Sequence, residues 1–366
     1  MAHLKAFIYF KCLMPQSLSK LLISKLIDWL IAAIGAGLLL WFLLTQPVWD
    51  ENLNSNYELI NSQNLQNHVE QLTRGYAPRT LNYKNLNDAG DYIFRQLQSF
   101  GLPSYQTIDT ISNQYRNITL QLGPDTEELF VIGAHYDAED DSIDTEGNAS
   151  GVAILIELAR QLAENNENLE IGVVLVAYPI SLNQTNDLTN TGSYIHATSL
   201  NKANKKVRLM ISLDTIGHES TENYRSRLNE KLNEILNVDT EESVNLFGRF
   251  RDFISIRELK KSFVNESSLD LATYNLFENI TPSLSSDHVN YWKQGFPAVL
   301  ISDAITPRIL SRNKPNKFSI ENLNYEKMAK LVGGLYQVVV QSKASAKDKL
   351  QLATRRSRNK TEHSTL

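Results

Sequence analysis

The residues best equipped for chemistry stand in a few short runs. "VIGAHYDAEDDSIDTEGNASG" carries His135 and Asp137, then the loop carboxylates Glu139, Asp140, Asp141, Asp144 and Glu146. At a strand end, a spacing of two puts His135 and Asp137 on one face. A metal-binding histidine usually gives its second ring N–H to such a carboxylate, which fixes its tautomer. The same pair also reads as an ordinary surface His beside a surface Asp. Asp214 closes the apolar run "LMISLD", where it either points into a crevice at the strand ends or caps the next turn. Asp287 and His288 are adjacent in "SSDHVNYWKQG". Asp287 could orient His288 or cap the helix that follows, and the cap is the favoured reading of those residues alone.

The elements that must position these groups alternate in type. Strands are expected at Arg116–Gly123, Glu128–Asp137, Leu169–Pro179, Val207–Gly217, Asp252–Arg257 and Pro297–Asp303. Several of them are continuous apolar runs, the pattern of strands covered on both faces. Helices are expected at Asn85–Gly101, Ser150–Asn166 and Asn322–Gln341. This order predicts an α/β three-layer sandwich, with a mainly parallel mixed sheet between two helical layers. Ligands bind such sheets at the C-terminal strand ends, where His135, Tyr178 and Asp214 fall.

The 366-residue chain is 42% hydrophobic with a net charge of -5, which gives no reason to expect nucleic-acid binding. Its single cysteine, Cys12, excludes an intrachain disulfide. Leu26–Leu44 is apolar apart from Asp28, and its length of about 28 Å matches the hydrocarbon thickness of a bilayer. Trp29 and Trp41 lie toward its ends, and Lys5, Lys11, Lys20 and Lys25 precede it. The alternative, a cleaved signal peptide, lacks a small-residue cleavage site in "TQPVWDENL". The expected organisation is a cytoplasmic segment (1–25), a transmembrane helix (26–45), a domain on the periplasmic or extracellular side (46–341) and a basic disordered tail (342–366).

Six segments in register carry a resemblance to a known family: "HVEQLT…APRTLNYKNLNDAGDYIFRQLQSFG", "VIGAHYDA…NASGVAILIELARQL", "VVLVAYPISLNQTNDLTNTGSYIHA", "RLMISLDTIGH", "SDHVNYWKQGFPAVLISD" and "NLNYEKMAKLVGGLYQVV". The chain resembles zinc metallopeptidase family twenty-eight, which includes bacterial leucyl aminopeptidases and aminopeptidase Y and, more distantly, glutaminyl cyclases. The resemblance implies a two-zinc centre. One Asp and a water bridge the ions, a His and an Asp complete one zinc, and a Glu and a His complete the other. A further Glu takes the proton of the bridging water.

Carried over position by position, the resemblance puts the first His at His135, its supporting Asp at Asp137 and the acidic ligand of the same zinc at Asp214. The bridging Asp falls on Gly147, the proton-shuttling Glu on Ser181, the Glu ligand on Leu182 and the last His on Lys317. No serine hydroxyl ionises near neutral pH, Leu182 offers no ligand atom, and Lys317 opposes a cation. Asp144 or Glu146 could replace the bridge in a three-ligand site with His135 and Asp214, holding at most one zinc. The same loop also reads as a solvated acidic surface, or as a loose calcium site. Asp287 and His288 are expected to support the half-site. The expectation is therefore a membrane-anchored member with no catalytic residue, acting as a peptide- or protein-binding module. The alternatives are a hydrolase with a rebuilt mononuclear site and a cyclase-like transferase.

Overall fold

The computed structural model describes residues 16–48, 60–81, 84–109, 114–138, 147–180, 188–218, 243–264, 269–276, 286–303 and 320–344. Two compact units divide the chain after Pro47. The first contains one helix, α1 (Gln16–Thr45). Its stretch Ile23–Thr45 is long and apolar enough to cross a membrane.

In the second unit the described elements are α2 (Ser62–Glu70), α3 (Lys84–Gln98), β1 (Ser104–Asp109), β2 (Gln114–Leu122), β3 (Glu128–His135), α4 (Ala149–Glu164), β4 (Gly172–Tyr178), α5 (Gly192–Lys202), β5 (Lys206–Leu213), β6 (Ser243–Arg249), α6 (Phe253–Val264), β7 (Asp270–Leu276), α7 (His288–Lys293), β8 (Ala298–Ser302) and α8 (Tyr325–Val340). The strands form one sheet in the order β1-β2-β4-β3-β5-β8-β6-β7. The centre is parallel: β4, β3, β5 and β8 run together. β2 joins β4 antiparallel at one side, and β6 joins β8 antiparallel at the other.

Period-two alternation sorts each central strand between two cores. Phe130, Ile132 and Ala134 of β3 and Val173, Leu175 and Ala177 of β4 face the larger core, under α2, α3, α4, α6 and α8. Leu129 and Val131 with Val174, Val176 and Tyr178 face the smaller one, beside α5 and α7. α4 is buried along nearly its whole length because it lies against the middle of the sheet and under α8. An all-apolar helix such as "GVAILIELA" is stable only in that position.

Two details differ from the sequence-based expectation. Asp252–Arg257 is not a strand: Phe250–Asp252 is a single 3-10 turn that leads into α6. Ile256, Leu259 and Phe263 are buried while Ile254 is exposed. That spacing of three and four is helical; in a strand Ile254 and Ile256 would share a face. β1, β6 and β7 are additional strands. The expected tail lies almost wholly outside the described residues, as does most of the N-terminal segment.

Candidate functional site

The C-terminal ends of β3 and β5 converge on the start of α4, and Asn148 holds the three together. It takes a left-handed backbone conformation (φ 58°) and makes no capping bond for α4. Its Nδ2 instead donates to the carbonyls of His135 (3.1 Å) and Leu213 (3.0 Å), and its Oδ1 accepts from the Thr215 amide (3.0 Å). The Ser150 hydroxyl accepts from the Ile216 amide (3.1 Å). Part of the "NASG" signature thus acts as a brace between strands. A second brace lies beside it. The Asp303 Oδ2, after β8, accepts from the Gly217 and His218 amides, and its Oδ1 pairs with the buried Lys327 of α8 at 2.6 Å.

His135 sits between two carboxylates. Its Nδ1 lies 3.0 Å from Asp137 Oδ1 and its Nε2 lies 3.6 Å from Asp214 Oδ1. Asp214 also accepts from the Thr215 hydroxyl on Oδ1 and from the Ser286 hydroxyl on Oδ2, each at 2.8 Å. All three titratable side chains are buried. Burial alone lowers the imidazole pKa, but the charges and hydrogen bonds of Asp137 and Asp214 outweigh it and raise the value to about 10. Without a metal, His135 is therefore an imidazolium at neutral pH. The proton supplies one positive charge between the two carboxylates.

Asp287 and His288 lie at the start of α7. Asp287 stands at the N-cap position in helical conformation and makes no side-chain capping bond, so the expected cap does not form. Among the described residues, both ring nitrogens of His288 are buried without a hydrogen-bond partner. Burial first, and then the Asp214 and Asp137 charges, raise the Asp287 carboxyl to about 6 against the opposing charge of His135 and a hydrogen bond from Ser193. Burial lowers His288 to about 3, so it is neutral. Its ring stands edge-on to Trp292, with centroids 4.5 Å apart.

Gly147 has φ +44°. A Cβ built there would stand 2.4 Å from Ala138 Cβ, 3.0 Å from Ala138 Cα and 3.1 Å from the Arg79 Nη2. Arg79 is itself buried and fastened in place: its Nη1 donates to the Tyr136 carbonyl, and its own carbonyl accepts from the Ala138 amide. The Ala138 methyl stands over the place from which a carboxylate at this position would project.

The fit to zinc is partial. Two ligand atoms on one tetrahedral ion stand about 3.3 Å apart when each bond is about 2 Å, and His135 Nε2 and Asp214 Oδ1 are close to that at 3.6 Å. Among the described residues, however, no group of three or more His, Cys, Asp or Glu is placed to hold a metal ion. Asp144, Glu146, Ser181, Leu182 and Lys317 lie outside the described residues. The residues in view do not fit a two-zinc centre.

Sequence reasoning missed Asn148, Arg79 and Ser286 as parts of this site. Asn148 carried a signal, since an Asn directly after a Gly and before a helix suits a left-handed residue. It also missed a buried chain beside α5, in which the Tyr291 hydroxyl lies 2.8 Å from the Tyr178 hydroxyl and 2.6 Å from His196 Nδ1.

Solved structures similar to this chain include an aminopeptidase and a glutaminyl cyclase. The Legionella pneumophila LapA aminopeptidase is 15% identical with a TM-score of 0.58, over 78% of this chain and 72% of that one. A Porphyromonas gingivalis glutaminyl cyclase is 17% identical with a TM-score of 0.55, over 77% and 98%. At these identities the likeness is one of fold. In sequence, the uncharacterized protein YfbL of Escherichia coli is 32% identical over 310 residues, 81% of this chain and 93% of that one. The model of Peptidase family M28 matches residues 117–326, more than half of the chain. The chain belongs to Peptidase family M28.

Proposed function

We propose that this chain is a catalytically silent member of the family that binds a peptide or protein segment without cleaving it. The observation that carries the reading is the position of Gly147, where the Ala138 methyl fills the space a bridging carboxylate would need. The sequence is in accord: Ser181, Leu182 and Lys317 stand where the resemblance expects a base and two ligands. His135, held between Asp137 and Asp214, offsets part of their negative charge at the strand ends without a metal. In this reading α1 anchors the protein in a membrane with residues 1–25 cytoplasmic, residues 46–341 are the folded domain outside, and 342–366 form a tail. The test is turnover of aminoacyl and dipeptide substrates by the purified protein with zinc added; chelator-sensitive turnover would overturn it.

A second reading, a hydrolase with a rebuilt single-metal site, is favoured by the 3.6 Å separation of His135 Nε2 and Asp214 Oδ1. It requires Asp144 or Glu146 as third ligand. Elemental analysis separates the two readings: this one expects about one tightly held metal per chain, lost in His135→Ala, because a catalytic zinc needs three protein ligands.

A further inference from the structure

We propose that the cavity between α5 and the smaller-core face of β1, β2 and β4 is a binding site for a small uncharged carboxamide, whose carbonyl oxygen accepts hydrogen bonds from His196 and Gln106. The cavity shares no lining residue with the His135, Asp137 and Asp214 cluster, and the proposal stands whether or not the chain cleaves peptides.

The cavity measures about 270 Å³. His196 and Leu200 of α5 form one wall, and Gln106 of β1, Thr119 and Gln121 of β2 and Val174 of β4 form the other. No Asp, Glu, Lys or Arg lines it, so it offers an ion no counter-charge. A carboxylate or an ammonium taken in there would lose hydration with nothing to offset the loss.

His196 marks the cavity as a site. The residue is only 5% exposed, and its Nδ1 is turned inward to the Tyr291 hydroxyl at 2.6 Å. That hydroxyl lies 2.8 Å from the Tyr178 hydroxyl. Each hydroxyl has one proton to donate. If the imidazole donated to Tyr291 and Tyr291 to Tyr178, the Tyr178 proton would have no acceptor among the described residues. With Tyr178 donating to Tyr291 and Tyr291 to Nδ1, every proton has a place. The imidazole proton is therefore on Nε2, which makes no hydrogen bond to the described residues and is the edge of the ring left to the cavity. Burial lowers the His196 pKa to about 4, so at neutral pH this group is an uncharged N–H donor.

Gln106 supplies the second donor. The buried Asn117 donates from Nδ2 to the Gly192 carbonyl at 2.9 Å, which fixes the orientation of its amide. The same Nδ2 donates to Gln106 Oε1 at 2.8 Å, so the Gln106 oxygen is occupied and its NH2 group is left to the cavity. Two uncharged donors without a cation match a carbonyl oxygen better than a carboxylate. Gln121 offers an oxygen to the ligand's N–H, and Val174 and Leu200 offer an apolar wall to a short alkyl group. The volume is below the range of roughly 300–1,000 Å³ usual for a drug-sized ligand, so the ligand is small.

The test uses the full chain in detergent micelles at pH 7.5, labelled with ¹⁵N-histidine, and three probes of similar shape: isovaleramide, isovalerate and protonated isopentylamine. The His196 ring signals are assigned by their loss in His196→Gln. Isovaleramide should move them saturably, with a dissociation constant of about 5 mM or less, and should bind at least 10-fold more tightly than isovalerate. Gln106→Glu keeps the acceptor for Asn117 and removes the donors, so it should weaken isovaleramide about 10-fold and bind the amine in its place. Unchanged ring signals from the other histidines show that this variant is folded. No saturable shift at 50 mM isovaleramide, or isovalerate bound as tightly as isovaleramide, would each overturn the proposal without recourse to a variant. Undiminished binding of isovaleramide by folded Gln106→Glu would overturn it as well.

Discussion

Replacing Gly147 by alanine measures how firmly the old bridging position is closed. An L-residue held at φ +44° costs about 1–2 kcal/mol. The added Cβ would also stand 2.4 Å from Ala138 Cβ, far inside the ordinary carbon–carbon contact of about 3.5–4.0 Å. Ala138 cannot simply retreat, because its amide donates to the Arg79 carbonyl at 2.9 Å and the Arg79 side chain is bound to Tyr136. Overpacking of this kind costs about 1–3 kcal/mol, so Gly147→Ala should destabilise the domain by about 2–5 kcal/mol. Gly295→Ala is the internal control: φ is +82° but nothing lies within 4 Å of its Cβ, so it should show only the conformational part, about 1–2 kcal/mol. Urea unfolding of the two variants in micelles, followed by circular dichroism, gives both values. The double variant Gly147→Ala with Ala138→Gly should recover the steric part. If Gly147→Ala costs no more than Gly295→Ala, Ala138 does not close the position, and the argument against a carboxylate there fails.

Three further outcomes follow from the buried charges. His135 has a folded pKa of about 10 against 6.5 when free, so its stabilisation is complete below pH 6.5 and is lost as pH rises toward 10; the metal-free protein should lose stability over that window, by up to about 5 kcal/mol, and His135→Gln should remove most of the slope. Asp287 is raised to about 6 from 3.8, so it favours folding less as pH rises through that range; Asp287→Asn should stabilise the protein at pH 8 by up to about 3 kcal/mol and hardly at all at pH 3. Lys327→Ala leaves the buried Asp303 carboxylate without its cation and should cost about 3–5 kcal/mol in the same unfolding assay, whereas Lys327→Met with Asp303→Asn should cost less.

The central fold was legible because its strands and helices carry unmistakable periods. "LFVIGAH" and "GVVLVAY" are apolar on both faces, as strands between two cores must be, and "GVAILIELA" is long enough to be a buried helix. The flanks were less legible. β6 is wholly buried yet contains Ser243, Asn245 and Arg249; Arg249 is paired with Asp252 on the next turn and with the Phe296 carbonyl far along the chain. β1 is short and mostly exposed, so burial leaves little pattern on it. "DFISIR" alternates like a strand over six residues, and only the later Leu259 and Phe263 reveal the helical period.

In the candidate site, residue types and spacing singled out His135, Asp137 and Asp214, which the structure brings within ion-pairing distance. The missing capping bond at Asp287 could not be read from sequence, because "SDHVN" offers the same residues whether the Asp caps the helix or lies buried beside it. Nor could the role of Asn148, whose three hydrogen bonds run to residues 13 to 67 positions away.

The most direct test of the account is hydrolysis itself. Purified full-length protein, given zinc and a panel of aminoacyl-p-nitroanilides and dipeptides, should release no product above a His135→Ala control at any pH from 6 to 9. Product release that requires zinc, stops with a chelator and disappears in His135→Ala would contradict it.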